Sequence, residues 1–480
     1  MRSGRPSTRS IRPTTSTAYS TRCSSFNVPA STAAPLARTF LPRPVVPSRM
    51  ETRPVVTCFL RSEGEVLLLR RSDAVGSYRG QWSGVAGHVA DDAGRDRDPE
   101  TAARAEVDEE TGLADAVTLV RQGDSFQVAD TDHGVRWQVH PFLFDCEART
   151  AETNEESTET AWVHPPEILT RETVPRLWTS WDRIRPRVAT VREDRTHGSA
   201  WLSLRALEVL RDEAALADAG RSDDLETAER DGDDWEALAA LAAEIREARP
   251  SMVVIANRLD RAMAAVTDES PAAVERAATE ALNHAVTADR VAAAVAAEHV
   301  GDRIATLSRS GTVRAVAAAA APEAVLVAES RPGGEGVGVA ETLAESTAVT
   351  LTTDAAFGHE LDAWSADTLV VGADRILPDG CVVNKVGTRS AALSAAAADV
   401  DCYAVCATDK IAPRAAWDRE ERDAQEVYAG AADIAVSNPT FDITPASAVT
   451  VVTERGVLET DEIGGIADAH RDRSEWTERR

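Results

Sequence analysis

The chain has 480 residues, enough for two or three domains each with its own core, and a formal charge of -27 from 79 acidic and 52 basic residues. Such a surface repels phosphate backbones and no local basic patch offsets it, which excludes direct nucleic-acid binding as the main role. No apolar run reaches the length of a membrane span, so a soluble, cytoplasmic protein is expected.

Only two lysines, Lys385 and Lys410, stand against fifty arginines. An acidic, lysine-poor, alanine-rich chain of this kind suits a halophilic cell, where a carboxylate surface stays hydrated and screened. Six scattered cysteines contain no CxxC pair, so reduced thiols are expected, with Cys402 and Cys406 in a buried strand.

Residues 1–49 are rich in Arg, Ser, Thr and Pro and contain eight arginines but no Asp or Glu. They read as a targeting peptide or, the stronger reading, as a disordered leader or mis-assigned start with Met50 as the natural one, since the strand pattern PVVTCFL follows at once. From Val55 the pattern is strand, turn, strand (VVTCFL, SEGE, VLLLRR), then YRGQWSGVAGHV with Trp82 and Gly80, Gly84 and Gly87.

The next stretch, GHVADDAGRDRDPETAARAEVDEETGL, runs from Gly87 to Leu113. Glu106, Glu109 and Glu110 fall at i, i+3 and i+4, so a helix puts three carboxylates on one face. That face repels itself unless a hard divalent cation joins it; Mg²⁺ beside a diphosphate is the usual case. Gly112 stands where a helix C-cap favours a left-handed residue. Further strands are expected around 125–128 and 137–144, and ETAWVHPPEIL reads as the closing strand and last helix of a first domain over 51–190. Trp162, Trp178 and Trp181 offer faces for stacking a base, though packing is the favoured reading.

From residue 195, four alanine-rich segments with helical period define a helical subdomain to about residue 300, interrupted by the acidic loop DAGRSDDLETAERDGDD. Strand and helix then alternate over 301–470. The expected strands are RIATLS, AVLVAES, AVTLTTD, DTLVVGAD, CYAVCAT and AVTVVTE, a parallel sheet covered on both faces with ligands at its carboxyl ends. Ser308, Gly311, Arg331, Asp374, Asn384 and Lys385 are placed at those ends.

The Gly87–Leu113 stretch resembles the Nudix box, G-x5-E-x7-R-E-U-x-E-E-x-G-U. Gly87, Glu106, Val107, Glu109, Glu110, Gly112 and Leu113 match. The arginine before the first core glutamate is Ala105 here, with Arg104 one place early, and the loop from Ala90 to Asp98 is about four residues too long and lacks its glutamate. The resemblance implies an α/β/α sandwich that cleaves nucleoside diphosphate derivatives using Mg²⁺, or Mn²⁺, held by Glu106, Glu109 and Glu110.

ESRPGGEG, VVGADRILPDGCVVNKVGT and FDITPASAVTVVTERGVL resemble a second family, that of the alpha, beta and delta subunits of initiation factor 2B together with ribose-1,5-bisphosphate and methylthioribose-1-phosphate isomerases. This resemblance covers nearly all of 195–465. It implies a helical subdomain joined to a Rossmann-like parallel-sheet subdomain, a homodimer, and ligand binding by Ser308, Gly311, Arg331, Asp374, Asn384 and Lys385. The isomerases' catalytic aspartate aligns with Asp374, but their cysteine falls on Ser308, a much weaker acid, and His197, Gly198 and Ser199 replace their substrate-contacting RGA motif.

The expected whole is therefore an α/β multidomain protein, with a Mg-dependent Nudix hydrolase fused to a noncatalytic domain that binds a sugar phosphate or a partner such as initiation factor 2. Two alternatives stand beside it. One is a noncatalytic translation-related regulator with a degenerate Nudix domain; the other is a sugar-phosphate isomerase.

Overall fold

The strand Glu51–Ser62 (β1) alternates its side chains between two buried faces, and this alternation organises the N-terminal half. Val56, Cys58 and Leu60 enter one core and Phe59 the other. The computed structural model describes residues 50–91, 94–95, 97–221, 233–417 and 419–478. The expectations for residues 1–49, for most of the acidic loop and for part of the lengthened Ala90 to Asp98 loop lie outside the described residues.

β1 belongs to an eight-stranded sheet with β2 (Glu65–Arg71), β3 (Trp82–Ser83), β4 (Val85–His88), β5 (Val117–Gln122), β6 (Phe126–Asp130), β7 (Val135–Cys146) and β8 (Ser157–Val163). It runs parallel to β7 along most of its length and antiparallel to β4. On one face lies α1 (Pro99–Thr111), whose Ala102, Ala103 and Val107 pack on Val56, Cys58, Leu60, Phe142 and Phe144. Both ends of α1 are written in the sequence. The Asp98 side chain accepts the amides of Glu100 and Thr101, Pro99 occupies the first turn, and Gly112 takes φ +66° while its N–H donates to the Asp108 carbonyl.

The opposite face is covered by α2 (Leu177–Asp182), α3 (Val188–Glu193) and the first long helix of the second half, α4 (Ser199–Asp218). Phe59, Leu68, Leu143 and Trp181 share one apolar cluster with Leu207, Leu210 and Leu282. A Cβ on Gly64, in the β1–β2 turn at φ +82°, would fall 2.1 Å from a Leu282 methyl. The two halves therefore share a core. PPEIL is not the expected last helix: it forms only a 3-10 turn over Pro165–Leu169, with Pro165, Pro166 and Ile168 buried. Trp178 and Trp181 are buried, and the Trp181 indole N–H donates to Asp212 at 2.9 Å, so both serve packing.

The helices α5 (Asp234–Arg246), α6 (Val253–Ala264) and α7 (Pro271–Ala297) complete the helical layer. Beyond it, β9 (Arg303–Leu307), α8 (Gly311–Ala320), β10 (Ala324–Ala328), α9 (Glu335–Leu343), β11 (Ala348–Thr352), α10 (Asp354–Ala363) and β12 (Thr368–Gly372) alternate as expected. Then come β13 (Arg375–Ile376), β14 (Val382–Lys385), α11 (Thr388–Ala397), β15 (Asp401–Val405), β16 (Phe441–Thr444), β17 (Thr450–Thr453), β18 (Gly456–Leu458) and α12 (Thr460–Arg473). The main sheet has the order β11-β10-β9-β12-β15-β17-β18, parallel except for the β17–β18 hairpin. β13, β14 and β16 form a separate antiparallel sheet. Asn384 and Lys385 thus lie within β14, not at a carboxyl end of the parallel sheet as expected. No helix among the described residues is long and apolar enough to cross a membrane.

Asp409, fully buried, ties the helical layer to the sheet. It accepts Arg261 Nη2 at 2.7 Å and Arg258 Nε at 3.2 Å, while Asn257 Nδ2 donates to the Asp409 carbonyl at 2.8 Å. Burial alone would raise the Asp409 pKa, but the two guanidinium groups outweigh it and hold the carboxyl well below the usual range. Because the folded value is depressed, this contribution is present above the unfolded pKa of about 3.9 and is lost as pH falls toward the folded value. Asp409→Asn is expected to cost about 3–5 kcal/mol at pH 7 and to flatten the acid limb of stability, as read by urea unfolding from pH 7 to pH 3. A variant as stable as the parent at both ends of that range would show that the cluster does not hold the layers together.

Candidate functional site

On α1 the three glutamates occupy graded environments. Glu110 is buried, Glu106 is half-buried and Glu109 is exposed. Gly87, on β4, explains where Glu106 goes: a Cβ there would fall 2.0 Å from the Glu106 carboxyl carbon, so only glycine leaves room for the carboxylate against the strand. The Ala86 N–H, next along β4, donates to Glu110 Oε1 at 3.3 Å. Burial, with Glu106 beside it, pushes the Glu110 pKa up to about 8, the Ala86 amide offsetting only part of this. The same two carboxylates, together with burial as the largest cause, push the Cys58 thiol well above its ordinary value beneath them.

A cleft of about 890 Å³ opens beside this helix face and is lined by Glu106, Glu109, Glu156, Arg53, Arg71, Arg97, Tyr78, His88 and Trp137. Its aromatic wall is held by one carboxylate. Asp130 accepts the Trp137 indole N–H at 3.2 Å, the Tyr78 hydroxyl and the His133 amide at 3.1 Å, and it faces His133 Nδ1 at 2.8 Å. Burial raises the Asp130 pKa, but these donors, Tyr78 first, overcome it and keep the group ionised. Burial, followed by the Asp130 contact, pushes Tyr78 up to about 12, and burial with Arg53 and Arg71 nearby lowers His88. The cleft thus combines carboxylates, arginines and aromatic surfaces in its lining.

Among the described residues, no group of three or more His, Cys, Asp or Glu is already arranged to hold a metal. The donor chemistry nevertheless fits a hard divalent cation. Glu106 lies near enough to Glu110 to raise its pKa, and Glu106 and Glu109 line the cleft from the same helix.

Of the second set of expected residues, Ser308, Gly311, Arg331 and Asp374 follow the carboxyl ends of β9, β10 and β12, whereas Asn384 and Lys385 lie in β14. Ser308, at φ +64°, donates its N–H to Ser330 Oγ at 2.7 Å. The Ser330 and Arg331 amides donate to the Asp354 carboxylate at 2.8 and 2.6 Å, which locks neighbouring loops together. Gly311 opens α8 as expected, with Ser310 as its cap. A Cβ on Gly372 would fall 2.7 Å from Ser310 Oγ, so the β9 and β12 ends touch. Asp374 accepts the Ser199 hydroxyl at 3.1 Å. Ser199 was read only as a lost anchor; here it joins the helical layer to the expected catalytic aspartate. Lys385 Nζ is paired with Glu335 Oε1 at 2.6 Å, Asn384 donates to Thr388 Oγ1 at 3.0 Å, and the exposed Arg331 pairs with Glu329 at 3.1 Å. Four of the six expected ligand groups, Arg331, Asp374, Asn384 and Lys385, therefore hold protein partners through their side chains.

Glu156, Trp137 and Arg97 were not singled out from the sequence. Strand register brings Trp137 to the cleft, opposite Val128 of β6, and no local pattern announces that.

Two successive α/β units, one carrying a carboxylate-faced helix beside an open cleft and the other polar groups at strand ends, place the chain in the mixed α/β class. The chain belongs to the Initiation factor 2 subunit family, which residues 195–460 match, and residues 51–184 match the NUDIX domain. The methylthioribose-1-phosphate isomerase of Albidiferax ferrireducens is 37% identical over 161 residues, 31% of this chain and 46% of that one. The enzyme of the same name from Exiguobacterium sibiricum is 30% identical over 264 residues, 47% of this chain and 74% of that one. The chain spans less than half the length of the first of these relatives. Among solved structures, translation initiation factor eIF-2B of Pyrococcus horikoshii OT3 matches with 26% identity and a TM-score of 0.48, covering 56% of this chain and 94% of that one.

Proposed function

We propose that the NUDIX domain hydrolyses a nucleoside diphosphate joined to a further group, and that the initiation-factor-like unit binds a phosphorylated ligand or partner without isomerising it. The observation that carries the first half is that Glu106 and Glu109 line the aromatic-walled cleft, with Glu110 buried on the same helix. Mg²⁺ or Mn²⁺ held by these glutamates would supply the positive charge that polarises the diphosphate. Glu106, seated against Gly87, would be the anchoring ligand; Glu110, whose pKa burial and Glu106 push up to about 8, would join it as a carboxylate ligand. Glu109 reaches the cleft with its carboxylate exposed, so it is assigned as the acceptor of the proton from the attacking water. Trp137 and Tyr78 offer flat surfaces to a base, and Arg53 and Arg71 offer charge to phosphates.

With alanine at position 105, Glu106 still seats over Gly87 and Glu110 still accepts the Ala86 amide, both on β4. With Mg²⁺ at high salt, release of nucleoside monophosphate from one member of a panel of dinucleotides, nucleotide sugars and ADP-ribose is expected, and Glu109→Gln is expected to lose most of it. Absence of turnover across the panel, together with no effect of Glu109→Gln, would favour a degenerate domain.

A second reading, isomerase chemistry at Asp374, is favoured by the names of the relatives and by the Ser199–Asp374 contact. Against it stands Ser308, whose hydroxyl is far less acidic than a thiol. Conversion of methylthioribose-1-phosphate or of ribose-1,5-bisphosphate by the parent chain, abolished by Asp374→Asn, would overturn the noncatalytic assignment.

A further inference from the structure

Arg104, one place early in the box, is turned away from the site. Its Nε donates to Glu100 at 3.0 Å on the previous turn, and its guanidinium sits 5.6 Å from the Phe144 ring centre. Position 105 is alanine, so α1 itself supplies no cation to Glu106. The lengthened loop does. Its described residues fold back as a tight turn: the Asp91 N–H donates to the Arg95 carbonyl at 2.9 Å, Gly94 takes φ +74°, and the Arg97 N–H returns to the Val89 carbonyl at 3.2 Å. That return sets Arg97 beside the end of β4. Its Nε donates to the Val89 carbonyl at 3.3 Å and its Nη2 to the His88 carbonyl at 3.1 Å, which leaves Nη2 3.6 Å from Glu106 Oε1. The guanidinium is three-quarters buried and pinned by two carbonyls, so it is a fixed charge and not a waving surface side chain. Glu106 is thereby held from two sides, by the missing Cβ of Gly87 and by Arg97.

We propose that Arg97, delivered by the inserted loop, does the work that a box arginine at position 105 would do: it positions Glu106 for the metal. The insertion and the loss of the helix arginine are then one compensated change. This rests on the hydrolase reading of the same site. Arg97 acts through Glu106, so it is a positioning residue and touches no reacting atom.

The test is Mn²⁺ binding to the full chain, measured by electron paramagnetic resonance without substrate. Arg97→Ala is expected to weaken Mn²⁺ affinity about 10- to 100-fold, with the urea midpoint within roughly 0.3 M of the parent, because the Arg97–Glu106 pair stays partly solvated. Arg97→Lys is expected to recover part of that loss, and adding Ala105→Arg to Arg97→Ala to recover most of it. Affinity within twofold of the parent in Arg97→Ala, or no recovery with Ala105→Arg, overturns the inference. A parent chain that binds no Mn²⁺ would sink the hydrolase reading instead, and a crystal structure of metal-free Arg97→Ala then decides the positioning claim. Glu106 is expected to leave its place over Gly87; an unmoved Glu106 refutes it.

Discussion

Glutamine in place of Glu106 is expected to reduce hydrolysis of the accepted diphosphate by at least about 10²-fold, the scale on which removing a fixed charge from a reacting site is felt. The substitution is nearly isosteric, so the recess over Gly87 stays filled and α1 keeps its caps at Asp98 and Gly112. What disappears is one negative charge between Arg97 and Glu110. Stability is expected to move little, within about 1 kcal/mol, because a partly solvated ion pair contributes no more than that. The pair of readings is diagnostic. Large loss of kcat/KM with an unchanged urea midpoint marks a metal ligand, whereas lost stability with retained turnover would mark the carboxylate face as structural and end the assignment.

The same residues show what a sequence can and cannot disclose. Glu106, Glu109 and Glu110 are legible because helical spacing is local, and the ends of α1 are legible because Asp98, Pro99 and Gly112 act within a turn of themselves. Gly87 is visible only as a matching letter; its reason, the carboxylate stacked on it, needs β4 and α1 in three dimensions. Arg97 could not be read at all, since an eight-residue offset across a loop has no fixed geometry until the turn at Gly94 is known. In the second half, the fully buried β12 and the largely buried β15 announce themselves as short apolar runs. β13 and β14 are two and four residues long, and β14 pairs antiparallel with β13 and with β16, far along the chain, so no local pattern shows that Asn384 and Lys385 belong to a separate antiparallel sheet. The shared core was hidden for a similar reason: the alternation in β1 shows two buried faces, but nothing local says that α4 covers one of them.

At that shared core the second large effect is expected. Glu208 of α4 is fully buried and accepts Arg205 Nη2 at 2.6 Å and Arg61 Nη1, from β1, at 3.2 Å; Arg61 Nε reaches Asp145 of β7 at 2.7 Å, and the Trp201 indole N–H donates to the same carboxylate at 2.9 Å. Burial, and then the neighbouring Arg61, already depress the Arg205 pKa to about 10, with Glu208 the leading compensation. Glu208→Ala would leave two buried guanidiniums facing each other with only Asp145 between them, at a cost of about 3–5 kcal/mol. Because Phe59, Leu68 and Leu143 of the NUDIX sheet lie in one cluster with the helical layer, that cost falls on both halves at once. Tryptophan fluorescence, reporting on Trp181 and Trp201 at the junction, and far-ultraviolet circular dichroism are expected to give one coincident urea transition, shifted as a unit in Glu208→Ala. Two separated transitions would mean that the halves are merely tethered. If they do unfold together, a ligand at either site stabilises the other half too: Mn²⁺ at a hundred times its dissociation constant would add about 2.7 kcal/mol to the common transition, and a phosphorylated ligand of the second unit would add its own share to the same melt. The physical link between the two binding sites is then the core they share, and Glu208 is the residue whose loss would weaken it most.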